Sequence, residues 1–426
     1  MEKLVDKALN QKYFKTRWQI PLAGFLLALM GGLSYAWGVF IVPLVEKFGW
    51  TTTEATLPFT VFMVIFALTM VPAGKLQDVW GPKKVSAIGT ILFFIAYISA
   101  SFVGKFPYSW WLVITYGILG GISCGLTYAC VAPPTRKFFP DKPGVAVSFA
   151  VMGFGLAALV FAPLKAGYLI PKYGIEGTFI IIGVATFIVL SVAVFLIKNP
   201  PENWELPVKK NAKKTKHTNL LIRDISPTDL LKKPIFYTMW LIFALVITGG
   251  LLSMKLIPPY GELILGLSPM EAAWAIAIFS GFNGLGRPLA GLLSDKFGVL
   301  KVMIVTYIIQ VVILLLFPIF VVNFFTLCVA AAITGWGFAV TLALFPVLTA
   351  EYFGTKNLGV NYGLIFTAFG VGAISPTIGS WIYDATGNYS YVFISAGFLS
   401  GFGTFLCILL LKKLSPYKLL ENHTGK

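Results

Sequence analysis

Asn283 and Arg287 stand four residues apart inside an apolar stretch, 269–295. On a helix that spacing puts an amide and a guanidinium on one face. A guanidinium keeps its proton in a protein, so it does no acid–base work. What it does well is hold a planar anion through two parallel N–H bonds. Counting from Pro269, Asn283 falls about 21 Å and Arg287 about 27 Å along the helix. Both lie around the middle of a span ending near Asp295, slightly toward that end. A charge at such a depth costs about 2.5–3.5 kcal/mol even on insertion scales, so it needs a partner. Glu46, Glu54, Asp78, Glu262, Glu271, Asp295, Glu351 and Asp384 all sit at the ends of apolar stretches. None reaches Arg287, and the expected partner is a bound anion. A carboxylate fits a single guanidinium best, because a doubly charged phosphate ester calls for a second base.

The elements that must position this pair follow from composition. The 426 residues are 57% hydrophobic and 12% charged, with a mean hydropathy of +0.83, whereas soluble domains carry about a quarter charged residues. Apolar runs fall near 18–46, 55–76, 84–104, 109–136, 143–170, 177–197, 235–262, 269–295, 300–321, 323–350, 356–383 and 389–411. Runs of about twenty residues cross a bilayer as helices, and a β-barrel would alternate instead. The expectation is an all-α membrane protein of twelve transmembrane helices. The net charge of +16 is placed by topology. Basic residues crowd the termini, the loops after the second and fourth spans of each half and the 198–234 segment, whereas Lys47, Lys105 and Lys172 stand on the other side. This asymmetry predicts cytoplasmic termini in a multi-pass cell-membrane protein, with lipid and not nucleic acid as the surface it meets. The run from Arg17 is too long for a signal sequence and reads as a retained first helix. Cys124, Cys130, Cys328 and Cys407 read as small core hydrophobes. Neither a metal nor a cofactor is expected. No His, acid pair or Cys/His cluster lies mid-span to suggest an enzyme.

The chain also repeats itself. Thr51, Glu54, Gly74, Asp78 and Gly81 recur as Ser268, Glu271, Gly291, Asp295 and Gly298, each pair separated by 217 residues. Thr51-x-x-Glu54 and Ser268-Pro269-x-Glu271 are capping boxes that fix where the second and eighth helices begin. Gly74-x-x-x-Asp78-x-x-Gly81 and Gly291-x-x-x-Asp295-x-x-Gly298 end them. Their glycines permit close backbone approach and a tight turn. Their aspartates can cap or pair with a neighbouring helix, which suits a gating latch. A repeat of this size in an apolar chain predicts two pseudo-symmetric six-helix bundles. The expected division is 1–198, a cytoplasmic linker 199–234 and 235–426 with a cytoplasmic tail. Ser226-Pro227-Thr228-Asp229 reads as a short capped helix on the inner face. The repeat is its own control: Phe66 stands where Asn283 does and Met70 where Arg287 does, so the charge is no part of the shared scaffold.

With twelve spans, a basic central loop and this loop motif twice, the chain resembles the major facilitator superfamily over essentially its whole length. Phe282-Asn283-Gly284-x-x-Arg287-Pro288, Phe138-Phe139-Pro140-Asp141-Lys142-x-Gly144 and Asn361-Tyr362-Gly363 are similar to the oxalate/formate antiporter family and related monocarboxylate transporters. The resemblance implies alternating access to a central cavity. It also implies that Arg287 binds the substrate carboxylate, with Tyr128 lining the same site. The oxalate exchanger has a second base where this chain has Phe369, one turn beyond Phe366. The animal monocarboxylate carriers have a lysine near Val39 and an aspartate where this chain has Asn283. These departures favour a monoanion of lactate or pyruvate type over a dianion.

Leu33, Tyr35, Leu342 and Tyr362 are further wall candidates. Lys165 and Lys255 count out near the outer mouth, as snorkelling or anion-attracting bases. His217 and His423 lie in soluble segments, so no dedicated proton carrier is legible. Proton-coupled symport by a monomer is the expected mode, with carboxylate exchange as the alternative.

Overall fold

Both capping boxes are formed. The Glu54 amide donates to Thr51 Oγ1 at 3.1 Å and the Thr51 amide to Glu54 Oε2 at 2.9 Å. Ser268 and Glu271 make the same reciprocal pair at 3.3 and 2.9 Å. In the computed structural model, residues 14, 16–139, 143–201, 224–354 and 357–413 are described. Most of the terminal and linker lysines, Pro140–Asp141–Lys142, Lys356, His217 and His423 lie outside them.

Among the described residues, nine helices are long and apolar enough to cross a membrane. One of them, Val145–Leu196, is 52 residues long and breaks at Gly174 (φ 68°, ψ −177°), which makes it two spans. Val299–Leu315 is a shorter apolar helix. Pro269–Phe297 is 29 residues long and less apolar because it carries Asn283 and Arg287. Together these are the twelve spans of two six-helix bundles. In order they are Gln19–Phe48, Thr52–Trp80, Pro82–Gly104, Ser109–Phe138, Pro143–Leu164 with its continuation, Ile170–Leu196, Pro234–Leu263, Pro269–Phe297, Val299–Leu315, Phe324–Phe353, Val360–Thr386 and Tyr389–Lys412. The short helix Pro227–Leu230 is capped by Ser226, whose hydroxyl accepts from the Asp229 amide. The Asp229 carboxyl is held below its usual range by the Ser226 hydroxyl and the Lys232 ammonium.

Two local irregularities matter for the site. The first span is not α-helical throughout. Its glycine-rich middle, Gly32–Phe40, winds as a 3-10 helix with a break at Ala36 (φ −88°, ψ 23°). The fifth span widens into a π-type turn at Lys165–Leu169, just after Pro163, whose ring removes an N–H from the ladder. Such irregularities free backbone carbonyls for side chains to bond.

The halves meet along the fifth and eighth spans, the second and eleventh, and the first and seventh. On the face away from the linker, the second and eleventh spans are joined by a polar ladder. The Thr52 and Thr53 amides donate to the Asp384 carboxylate at 3.1 and 2.7 Å. The Thr56 and Ser380 hydroxyls lie 2.8 Å apart, and Thr377 donates to Thr60 at 2.7 Å. Asp384 therefore caps a helix of the opposite half, where its charge also meets the positive end of the helix dipole.

The linker face differs. Gly81 and Gly298 take positive φ (81° and 87°), the tight turns expected of them. The close approach expected at Gly74 and Gly291 is not made, since a Cβ at either would meet nothing within 4 Å. Asp78 and Asp295 are exposed, and neither is paired among the described residues. The halves are thus fastened on the face opposite the linker, whereas on the linker face the two aspartate turns latch nothing among the described residues.

Asp384→Ala removes both acceptors from the ladder, a cap worth about 0.5–2 kcal/mol. It is expected to speed modification of a Thr377→Cys reporter by an impermeant maleimide from that face about five-fold or more. An unchanged rate would show that Asp384 does not hold this face shut.

Candidate functional site

The eighth span brings Asn283 and Arg287 to the seam between the halves. Asn283 is fully buried and Arg287 is 7% exposed. The span can sit this close to the fifth because two glycines face each other. A Cβ on Gly155 would lie 2.7 Å from the Gly284 Cα, and one on Gly284 would lie 2.4 Å from the Leu156 side chain. The Ser280 hydroxyl then reaches the Gly155 carbonyl across the seam.

The guanidinium is incompletely satisfied. Arg287 Nη1 donates to the Val151 carbonyl of the other half at 3.2 Å. Its Nη2 makes a long bond, 3.4 Å, to Asn283 Oδ1. Arg287 Nε and Asn283 Nδ2 are buried and have no hydrogen-bond partner among the described residues. No acid pairs with Arg287 among those residues. Two donors therefore remain unfilled on neighbouring groups that share a helix face. Leaving a buried donor unmade costs about 1–3 kcal/mol, more for a charged group. An acceptor with negative charge is what this arrangement lacks.

Aromatic rings from both halves surround it. Tyr35 and Tyr128 lie beside the Arg287 guanidinium, and Tyr362 is within reach of the same charge. Phe154 packs edge-on against Tyr35 (4.8 Å between centroids) and Tyr128 (5.1 Å). Phe66 meets Tyr128, Phe154, Phe366 and Phe369 at 5.6–6.4 Å. Phe366 stacks on Phe369 at 5.0 Å, and Tyr362 lies 5.7 Å from Phe366. Phe338 closes the ring against Tyr35 (5.7 Å) and Phe369 (6.4 Å).

The structure thus brings together Arg287, Asn283, Tyr35, Tyr128, Tyr362, Phe366 and Phe369. Leu33 is buried but enters through its backbone, its carbonyl accepting from Lys165. Leu342 is half-buried against the core and makes no polar contact there. Phe154 and Phe338 were missed, and nothing in their spacing marks them among 37 phenylalanines. Phe66 did carry a signal, as the repeat counterpart of Asn283. Lys165 and Lys255 do not snorkel. They are 2% and 0% exposed and bond to carbonyls that the broken first span leaves free.

The Major Facilitator Superfamily model matches twice, at residues 22–264 and 252–426. The chain belongs to the major facilitator superfamily. The first match runs through the linker and the seventh span, so the two overlap at 252–264, and the protein is a multi-pass membrane transporter. The oxalate:formate antiporter of Oxalobacter formigenes is 30% identical over 83% of this chain and 81% of its own. Monocarboxylate transporter 12 of Xenopus laevis is 26% identical over 76% and 72%. Among solved structures, a POT family transporter in complex with 5-aminolevulinic acid superposes with a TM-score of 0.71 at 13% identity, covering 93% and 96%. That likeness is one of fold.

Replacing the under-satisfied charge by an apolar chain of similar length should stabilise the empty protein. Arg287→Met is expected to raise the melting temperature of the purified transporter by about 2 °C or more. A lowered melting temperature would mean that Arg287 holds the fold together.

Proposed function

We propose that this transporter moves short monocarboxylates of lactate or pyruvate type by alternating access, with Arg287 as the group that binds the carboxylate. The observation that carries the reading is the buried guanidinium with an orphaned Nε, beside an orphaned Asn283 amide, at the seam of two halves. A carboxylate supplies two acceptor oxygens and one negative charge, the deficit at this spot. Tyr128 and Tyr35 offer hydroxyls to the same anion. The aromatic walls of Phe66, Phe154, Phe338, Phe366 and Phe369 exclude water, which strengthens the attraction. With one cation and neutral walls, the site suits a monoanion, and the cargo's remaining atoms must be few and mainly apolar.

In this reading the division at 1–198, 199–234 and 235–426 separates two rocking bundles of a monomer, with the linker and termini cytoplasmic. The repeated Gly-x-x-x-Asp-x-x-Gly turns latch the cytoplasmic face when the outer ladder opens. An anion entering a negative interior opposes about 2.3 kcal/mol per 100 mV. Accumulation therefore requires a co-transported proton or a counter-moving anion. We read proton symport as the mode, the proton travelling with the cargo carboxyl or the hydrogen-bond network at Arg287. The similarity to an oxalate:formate antiporter favours exchange as the second reading.

Proteoliposome uptake of labelled C1–C5 acids tests both. Arg287→Gln is expected to insert normally and lose uptake at least about 100-fold, the value of a charge-assisted pair in a dry site. Normal uptake by this variant would overturn the site. Wild-type uptake driven by an inward proton gradient is expected with acidification of the lumen. Uptake that moves no protons and needs internal anion would replace symport by exchange.

A further inference from the structure

Two more buried basic groups lie beyond the aromatic ring, on the side away from the linker, and the binding of cargo at Arg287 does not use them. Lys165 belongs to the π-type turn of the fifth span, Lys255 to the seventh span, so each half contributes one. By helix rise they lie about 30 Å along their spans from the linker face, roughly 15 Å further than Arg287. Lys165 Nζ donates to the Leu33 carbonyl at 3.2 Å. Lys255 Nζ donates to the Ser34 carbonyl at 2.6 Å and the Tyr35 carbonyl at 3.1 Å. Lys255 also stands over the Phe59 ring at 3.6 Å, and Lys165 over Phe40 at 5.2 Å. The two charges are near enough to act on one another.

No carboxylate pairs with either lysine among the described residues. The acids of this face are otherwise engaged or further out. Glu176 is held by Lys47 at 2.6 Å, and Asp384 by the Thr52 and Thr53 amides. Glu46 and Glu262 act on each other near the ends of the first and seventh spans. Two amines from opposite halves are thus drawn to one short stretch of backbone, and among the described residues only neutral carbonyls accept from them.

We propose that Lys165 and Lys255 form a second carboxylate-binding station, occupied by the monocarboxylate when the halves part on the face away from the linker. This rests on the carboxylate reading of Arg287. Opening that face parts the seventh span from the first and fifth, which belong to the other half. Lys255 then loses the Ser34 and Tyr35 carbonyls, Lys165 keeps Leu33, and both gain access to the vestibule. A carboxylate is a stronger acceptor for an ammonium than a carbonyl is, and two cations at the mouth of a low-dielectric path concentrate anions there. The station leads to the central site through Tyr35. Its carbonyl binds Lys255, and its side chain meets Arg287. When the face closes again, the carbonyls of Ser34 and Tyr35 return to Lys255 and displace the anion inward. The lysines act on cargo arriving from one side only, which a role in the central site or in folding alone would not produce.

The test is sided counterflow of the labelled C1–C5 panel in proteoliposomes of known orientation, for wild type, Lys165→Gln and Lys255→Gln. The station predicts an external half-saturation raised about tenfold in each variant, the value of one charge-assisted bond, with the internal value changed less than about twofold. An unchanged external value, or equal rises on both sides, overturns it, while wild-type uptake and its loss in Arg287→Gln leave the central site standing. If wild type moves no acid of the panel, both readings fall. Should the glutamine variants not insert, the wild type carries the test. Acylation of Lys165 and Lys255 by an external amine reagent, read by peptide mass spectrometry, is expected to slow with added cargo. Labelling that cargo does not slow overturns the station.

Discussion

A guanidinium buried at the seam of two helical bundles, with one of its nitrogens left without an acceptor, is the constraint from which the architecture is best understood. Desolvating that charge is unfavourable, and the protein offsets only part of the cost. One bond goes to a backbone carbonyl of the opposite half and one long bond to Asn283 on its own helix. The carboxylate that would complete a structural ion pair is not supplied among the described residues. A site left short of one acceptor gains most from a ligand that brings it. Placing that shortage between the halves makes ligand binding and the relative position of the bundles a single free-energy problem.

The seam is built to allow this. Facing glycines let the fifth and eighth spans touch at backbone distance, so a side chain of one half can reach a carbonyl of the other. The polar ladder from Asp384 to Thr377 holds the opposite-face ends of the second and eleventh spans together. At the linker face, Asp78 and Asp295 stand exposed beside their left-handed glycine turns. Short polar contacts are a suitable currency for gates, because water can take their place when they part. A hydrophobic seal of similar strength would expose apolar surface at every cycle.

How much of this was legible depended on whether a feature was local. Helix starts follow from residues three apart, and both capping boxes formed where Thr51-x-x-Glu54 and Ser268-Pro269-x-Glu271 placed them. The depth of Arg287 followed from counting along a capped helix, and its lack of an acidic partner from the positions of seventeen acids. Features that need two helices brought together were not legible. Phe154 and Phe338 join the ring because the fifth and tenth spans present them inward, which no spacing in an all-apolar helix reveals. Lys165 and Lys255 have other surroundings than the snorkelling reading gives them. Snorkelling assumes a regular helix facing lipid, whereas the first span breaks at Gly32–Phe40 and offers its carbonyls inward. The Gly-x-x-x-Asp-x-x-Gly repeats gave the turns correctly, but whether such a latch is made or unmade is a property of the conformation and not of the residues.

The most direct test of the central claim is calorimetric titration of the purified transporter with lactate and with lactamide, its uncharged analogue, in wild type and in Arg287→Met. The account predicts that wild type binds the acid and not the amide, and that the variant, though folded, binds neither. Acid binding of undiminished affinity to Arg287→Met would contradict it.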